Sequence, residues 1–173
     1  LEVVKKLADV IWPSAYAEIL SKEQLTYMLE RFYNLEALQL QAMNGQQFYL
    51  VQNVQREYVG FIAYEINSEP DKTKIHKIYV LPETQGSGVG KQLFEFVKTK
   101  ALQVQQTAIF LNVNKYNKAI YFYTNLGFKI IKEEVITIEE VAIHILKMLS
   151  EYYPDILKQE FGIDNYSDDE IEE

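Results

Sequence analysis

Between Ile75 and Gly90 the chain reads IHKIYVLPETQGSGVG: an apolar-alternating strand, a proline turn, then a turn rich in glycine. A helical pattern follows at once, with Val89, Leu93, Val97 and Ala101 recurring at helical spacing. A strand that delivers glycines onto a helix N-terminus makes an anion site. The first N–H groups of a helix have no partner inside it, and the positive end of the helix dipole points at the same spot. A phosphate-bearing ligand is therefore the first expectation.

Three phosphate loops share this outline, and two of them fail on spacing. A P-loop needs Gly five residues before Gly90 and Ser or Thr after Lys91; Gln85 and Gln92 stand there. A dinucleotide loop needs Gly-x-Gly-x-x-Gly, and counting from Gly86 or Gly88 puts Lys91 or Leu93 at the third glycine. What is left is Gln85-x-x-Gly88-x-Gly90, which resembles the acyl-CoA pyrophosphate loop of the GNAT (GCN5-related N-acetyltransferase) family. A turn that merely caps a helix is the plainer account of the same six residues.

A second motif strengthens the resemblance. Ile109–Val113 (IFLNV) reads as a buried strand. After it, Ala119, Phe122, Tyr123 and Leu126 share one face of a short helix, and Gly127 stands where a C′ glycine ends it. Asn117-x-Ala119, then Phe122-Tyr123, then Gly127-Phe128 is similar to what that family shows after its second core strand. The resemblance covers Ile75–Phe128 firmly and Leu1–Ile66 loosely.

The resemblance implies an N-acetyltransferase that moves an acetyl group from acetyl-CoA, its cosubstrate, to a primary amine by direct attack in a ternary complex. It implies that the backbone of Gln85, Gly86, Ser87, Gly88, Val89, Gly90 and Lys91 cradles the pyrophosphate. It also implies that the backbone of Ile78, Tyr79 and Val80 pairs with the pantetheine arm like an added strand and donates to the thioester carbonyl. Asn117, or alternatively Asn114, would bond the amide arm. Tyr123, four residues before Gly127, would protonate the departing thiolate. Core packing is the competing account of Tyr123 in a chain with 13 Tyr, and helix capping that of Asn117. The base stays open between Glu65 and His76 on adjacent expected strands, where either could equally be a surface side chain. Trp12-Pro13, Ser21-x-x-Gln24 and Lys77–Pro82 look most like the bacterial branch that includes small-polyamine acetyltransferases. Protein amines remain open as acceptors, and Trp12, Tyr16, Phe32 and Tyr33 are candidates for the substrate pocket. An acyl-CoA-binding module without turnover is the alternative function, and an interaction protein a weaker one.

Composition removes other classes. Cys is absent, which excludes a covalent acyl-cysteine, disulfides and thiolate metal sites. With only two His, at 76 and 144, the sequence offers too few imidazoles for a His-rich metal centre, so no metal is expected. No apolar run reaches the length of a membrane span and no leader pattern opens the sequence, so the expected location is the cytoplasm, away from membranes. The net charge of −8 argues against nucleic acid as a partner. Asp164–Glu173 holds six acidic residues without Lys or Arg, so it reads as a solvated tail after one domain spanning 1–163. A small-molecule or peptide amine is the expected partner, with a homodimer left open.

Along the chain, Leu1–Trp12 reads as a helix stopped by Pro13. Ser21-x-x-Gln24 reads as a capping box for a helix with Leu25, Met28, Leu29 and Phe32 on one face, ending near Asn34, with a further turn or helix over Leu35–Met43. Strands are expected at Phe48–Gln52, Tyr58–Ile66 and Lys74–Leu81, with Asn67–Thr73 a polar turn. Phe128–Ile138 supplies another strand. Val141–Leu149 fits strand or helix, with a slight lean to strand, before a helix at Pro154–Phe161. The expected fold is α/β: a GNAT-like mixed, mostly antiparallel central sheet flanked by helices.

Overall fold

The computed structural model describes residues 1–138 and 141–152; the Pro154–Phe161 helix and the acidic tail fall outside them. Three helices come first: α1 (Glu2–Ala15), α2 (Lys22–Phe32) and α3 (Leu35–Met43). Strands β1 (Gln47–Gln52), β2 (Tyr58–Glu69) and β3 (Lys72–Val80) follow, then a 3-10 turn at Pro82–Thr84 and α4 (Val89–Gln103). The chain continues with β4 (Ala108–Asn114), α5 (Ala119–Asn125), β5 (Lys129–Ile138) and β6 (Val141–Glu151). The sheet order is β1-β2-β3-β4-β6-β5, and every neighbouring pair is antiparallel except β3 with β4. This is the expected mixed, mostly antiparallel α/β architecture.

Two apolar clusters hold the layers together. Val4, Leu7, Ala8, Ile11 and Trp12 of α1 pack with Tyr33, Leu38 and Phe61. Leu93, Phe94, Val97 and Ala101 of α4 pack with Ile62, Ile75, Ile109, Leu111 and Met148 of the strands. Local signals place the helix ends. The Ser21 hydroxyl accepts from Gln24 N at 3.1 Å and the Gln24 amide oxygen accepts from Ser21 N at 2.9 Å, the reciprocal capping box. Asn34 accepts from Ala37 N at 2.8 Å and so divides α2 from α3.

Three elements differ from, or resolve, the sequence reading. Pro13 does not stop α1, which runs on to Ala15 and closes with Tyr16 N donating to Trp12 O. A proline near a helix end forfeits only its own bond, and the buried Trp12 keeps the last turn seated. Asn67–Thr73 is not a free polar turn. β2 continues to Glu69 and β3 begins at Lys72, a tight hairpin in which Asp71 takes φ +59°. The buried Gln106 side chain supports it, accepting from Asn67 N and the Thr73 hydroxyl at 3.1 Å each. Val141–Leu149 is a strand, as leaned. β6 has hydrogen-bonded neighbours on both sides, β4 and β5, which a helix could not satisfy.

The central feature for function is how β3 leaves β4. Pairing between them covers only Lys72–Ile75 against Ala108–Leu111. In β2 the partners run Ile62 to Ile78, Ala63 to Lys77, then Tyr64 to Ile75, so His76 is the extra residue of a β-bulge. Beyond it β3 stays with β2, while β4 continues beside β6 as far as Asn114. One edge of His76–Val80 is thereby left without a strand.

Gly60 keeps that divergent segment in place, because a Cβ there would sit 2.7 Å from Tyr79 O and 3.2 Å from the Val51 side chain. Gly60→Ala is expected to lower unfolding stability by about 1–3 kcal/mol, the usual range for overpacking. Urea unfolding checks this, and a loss below about 0.5 kcal/mol would mean that β3 can yield there.

Candidate active site

A cavity of about 770 Å³ opens where β3 and β4 part. Ile75–Val80 form one wall and Leu111–Asn114 the other; Thr84, Gln85, Gly86, Gly88, Gly90 and Lys91 close one end. The opposite end is built by α1, α2 and β6, through residues such as Trp12, Met28 and Ile145.

At the glycine end, α4 begins with Gly88 as its N-cap in the left-handed region (φ +86°), and no side chain caps it. Gly86 is also left-handed (φ +80°), and a Cβ on either glycine would meet nothing within 4 Å. Backbone conformation therefore demands these glycines, while the space in front of them stays open to a ligand. Gly90 differs: a Cβ there would come 3.1 Å from the Phe122 ring, so its smallness serves the packing of α4 on α5. Ser87 turns its hydroxyl back to Thr84 O, and Val89 packs into the core. Gln85 donates weakly to Val80 O at 3.4 Å, tying loop to strand. The uncapped helix start, the open glycines and the strandless edge of β3 fit a long ligand with phosphates at one end and amides along its arm.

Tyr123 is buried on α5 and lines the cavity. Burial raises the pKa of its phenol, with Tyr16 nearby pushing the same way, so it stays protonated at neutral pH. Tyr16 and Tyr79 share a hydrogen bond of 2.8 Å between their hydroxyls, and burial raises both. Asn117, just before α5, accepts from Ala119 N at 2.9 Å, and its side chain also reaches Tyr16. Asn114 accepts from Tyr116 N at 2.9 Å. Both asparagines line the cavity.

The two candidate bases turn out to be one unit. His76 Nε2 and Glu65 Oε2 lie 2.7 Å apart, and only His76 of the pair lines the cavity. Burial lowers the His76 pKa below its usual 6.5, against the raising effect of Glu65. We therefore read the contact as a neutral imidazole bonded to a carboxylate and not as an ion pair at neutral pH. An ionised carboxylate only accepts, so Nε2 donates and Nδ1 is left as the ring's acceptor.

Of the aromatic candidates, Trp12 and Tyr16 line the cavity, whereas Tyr33 is core behind it and Phe32 packs at its edge. Sequence reasoning missed Lys77, Ile143 and Ile145, all in the cavity wall. The signal for Lys77 was a slip in alternation: Ile75 and Ile78 cannot share a face of a regular strand, which announces the bulge between them.

Fold and site together define a transferase of the acyl-CoA type. The "Acetyltransferase (GNAT) domain" family model matches residues 16–148, more than three quarters of the sequence. The chain belongs to the GNAT acetyltransferase family, the acetyl-CoA-dependent N-acetyltransferases. It is 27% identical over 122 residues to an uncharacterized N-acetyltransferase from the pepI 3′ region of Lactobacillus delbrueckii subsp. lactis, covering 66% of this chain and 70% of that one. Among solved structures it is similar to the PaiA N-acetyltransferase of Thermoplasma acidophilum in complex with coenzyme A. That match has a TM-score of 0.72 and 22% identity, covering 87% of this chain and 92% of the other. A GNAT acetyltransferase of Elizabethkingia anophelis with acetyl-CoA bound matches with a TM-score of 0.56 and 20% identity over 72% and 87%. Among the described residues no helix is long and apolar enough to cross a membrane, and no cluster could hold a metal ion.

Proposed function

We propose that this protein acetylates a primary amine, carried by a small molecule or an exposed peptide, by direct attack on acetyl-CoA in a ternary complex. The observation that carries the reading is the parting of β3 from β4 with Tyr123 and His76 on the walls of one cavity and Glu65 bonded behind His76. Acetyl-CoA brings an activated thioester, and the chain's own groups do the rest. The backbone from Gln85 to Lys91 binds the pyrophosphate at the uncapped start of α4. The free edge of Ile78–Val80 orients the pantetheine arm and offers an N–H to the developing oxyanion. Asn117, or alternatively Asn114, bonds the arm; that both line the cavity supports this.

An amine must lose a proton to attack. His76 Nδ1 is the acceptor, directly or through a water, with Glu65 holding the tautomer. Tyr123 supplies the proton to the thiolate; the burial that makes it a weaker acid also makes the thiolate a stronger base. The absence of Cys supports direct transfer over a covalent acyl-cysteine.

Initial rates of CoA release with both substrates varied test the reading. Intersecting double-reciprocal lines are expected, and parallel lines would overturn the ternary complex. The acid limb of kcat/KM should lie below pH 6.5, since a depressed His76 pKa keeps the base form down to lower pH. Glu65→Gln removes the partner that raises that pKa, so the limb should move further to acid while the plateau falls about 10-fold. An unshifted limb would take His76 out of the mechanism. Acetyl-CoA binding without CoA release for any amine would favour a binding module.

A further inference from the structure

Among the described residues the cavity wall holds no carboxylate. Away from the glycine loop its surface is apolar, contributed by Ile11, Leu20, Met28, Ile143 and Ile145. A polyamine that brought one nitrogen to the reaction centre would bury further ammonium groups against that wall with no counter-charge, a cost of several kcal/mol per ion.

Of the lysines on the wall, Lys118 is paired with Glu18 at 3.7 Å, whereas Lys77 points to the opposite kind of ligand. The bulge at His76 brings Lys77 onto the wall, next in sequence to His76 and Ile78. Its Nζ donates to Gln46 Oε1 at 2.7 Å, lying 5.4 Å from the ring centre of Phe48 and 5.8 Å from that of Tyr33. No carboxylate among the described residues pairs with it. An ammonium has three donors, and the protein satisfies one with a neutral amide. Burial, with Lys74 adding repulsion, holds its pKa down to about 8.

We propose that the acceptor is an amine that also carries a carboxylate on an apolar body, an apolar amino acid being the simplest case, and that Lys77 binds the carboxylate. The inference rests on the acetyl-transfer reading above. Lys77 is here a specificity residue: it touches the acceptor but takes no part in proton transfer.

The test is CoA release with leucine, 3-methylbutylamine (leucine without its carboxylate) and spermidine, for wild type and Lys77→Met. Wild type should favour leucine over both others by about 10-fold or more in kcat/KM, the scale of one charge-assisted hydrogen bond. Lys77→Met should raise the leucine KM about 10- to 100-fold with kcat within about 3-fold. The mutant's rate with 3-methylbutylamine and its affinity for acetyl-CoA should stay within a similar margin. Lys77→Gln replaces Lys77→Met if the latter does not fold. Spermidine turned over in preference to leucine would overturn the acceptor inference alone. An equal loss for leucine and 3-methylbutylamine would show a structural lysine and overturn it too. CoA release from none of the three, with acetyl-CoA still bound, would overturn this inference together with the catalytic reading.

Discussion

Gly88→Glu is expected to weaken acetyl-CoA binding more than 100-fold while the domain stays folded. Two effects act in the same direction. The residue sits at φ +86°, where a side chain costs about 1–2 kcal/mol, so the loop would relax away from its present course. The new carboxylate would also satisfy the N–H groups at the start of α4 that no side chain now caps, competing with phosphate for them. A Cβ at this position meets nothing within 4 Å, so the protein itself has room for the change. Gly88→Ala separates the two effects, since it carries the conformational cost without the charge and should lose about 10-fold. Calorimetric titration with acetyl-CoA reads both, with circular dichroism as the check on folding. Micromolar binding retained by Gly88→Glu would remove the loop from the cofactor site.

Tyr123→Phe should lower kcat by about 100-fold or more and leave acetyl-CoA affinity within about 3-fold, the pattern of a lost general acid. The ring of Tyr123 belongs to the core, touching Phe122 and Phe128 edge-on, so phenylalanine keeps the packing. Only the hydroxyl is removed. Single-turnover kinetics distinguish the chemical step from product release. A kcat within about 3-fold of wild type would mean that Tyr16, Tyr79 or a water protonates the thiolate instead. Tyr16 is the first to test in that event, because its hydroxyl already bonds Tyr79 and it neighbours both Asn117 and Tyr123.

How much could be read in advance depended on the range of the interactions involved. The capping box at Ser21, the left-handed glycines at 86, 88 and 127, and the apolar spacing of α4 and α5 are local. Their energies arise within a few residues of chain, so they survive in the sequence as patterns. Gly90 must be small because of Phe122, which lies on another helix and so leaves no mark in the sequence around Gly90. Val141–Leu149 was nearly undecidable, because strand and helix differ there only in what lies to either side.

The sequence by itself determined the order of strand, glycine turn and helix, the absence of a cysteine nucleophile, and the one tyrosine at the right distance from Gly127. These follow from residue identity and from conformational limits that hold in any surroundings. Only the tertiary structure decided that β3 leaves β4 at His76, that Glu65 backs His76 as a single unit, and that Lys77 lines the cavity. Each depends on the register between neighbouring strands. A shift of one residue in a strand turns every side chain to the other face, so chemistry built on such pairs exists only once the sheet has chosen its pairing.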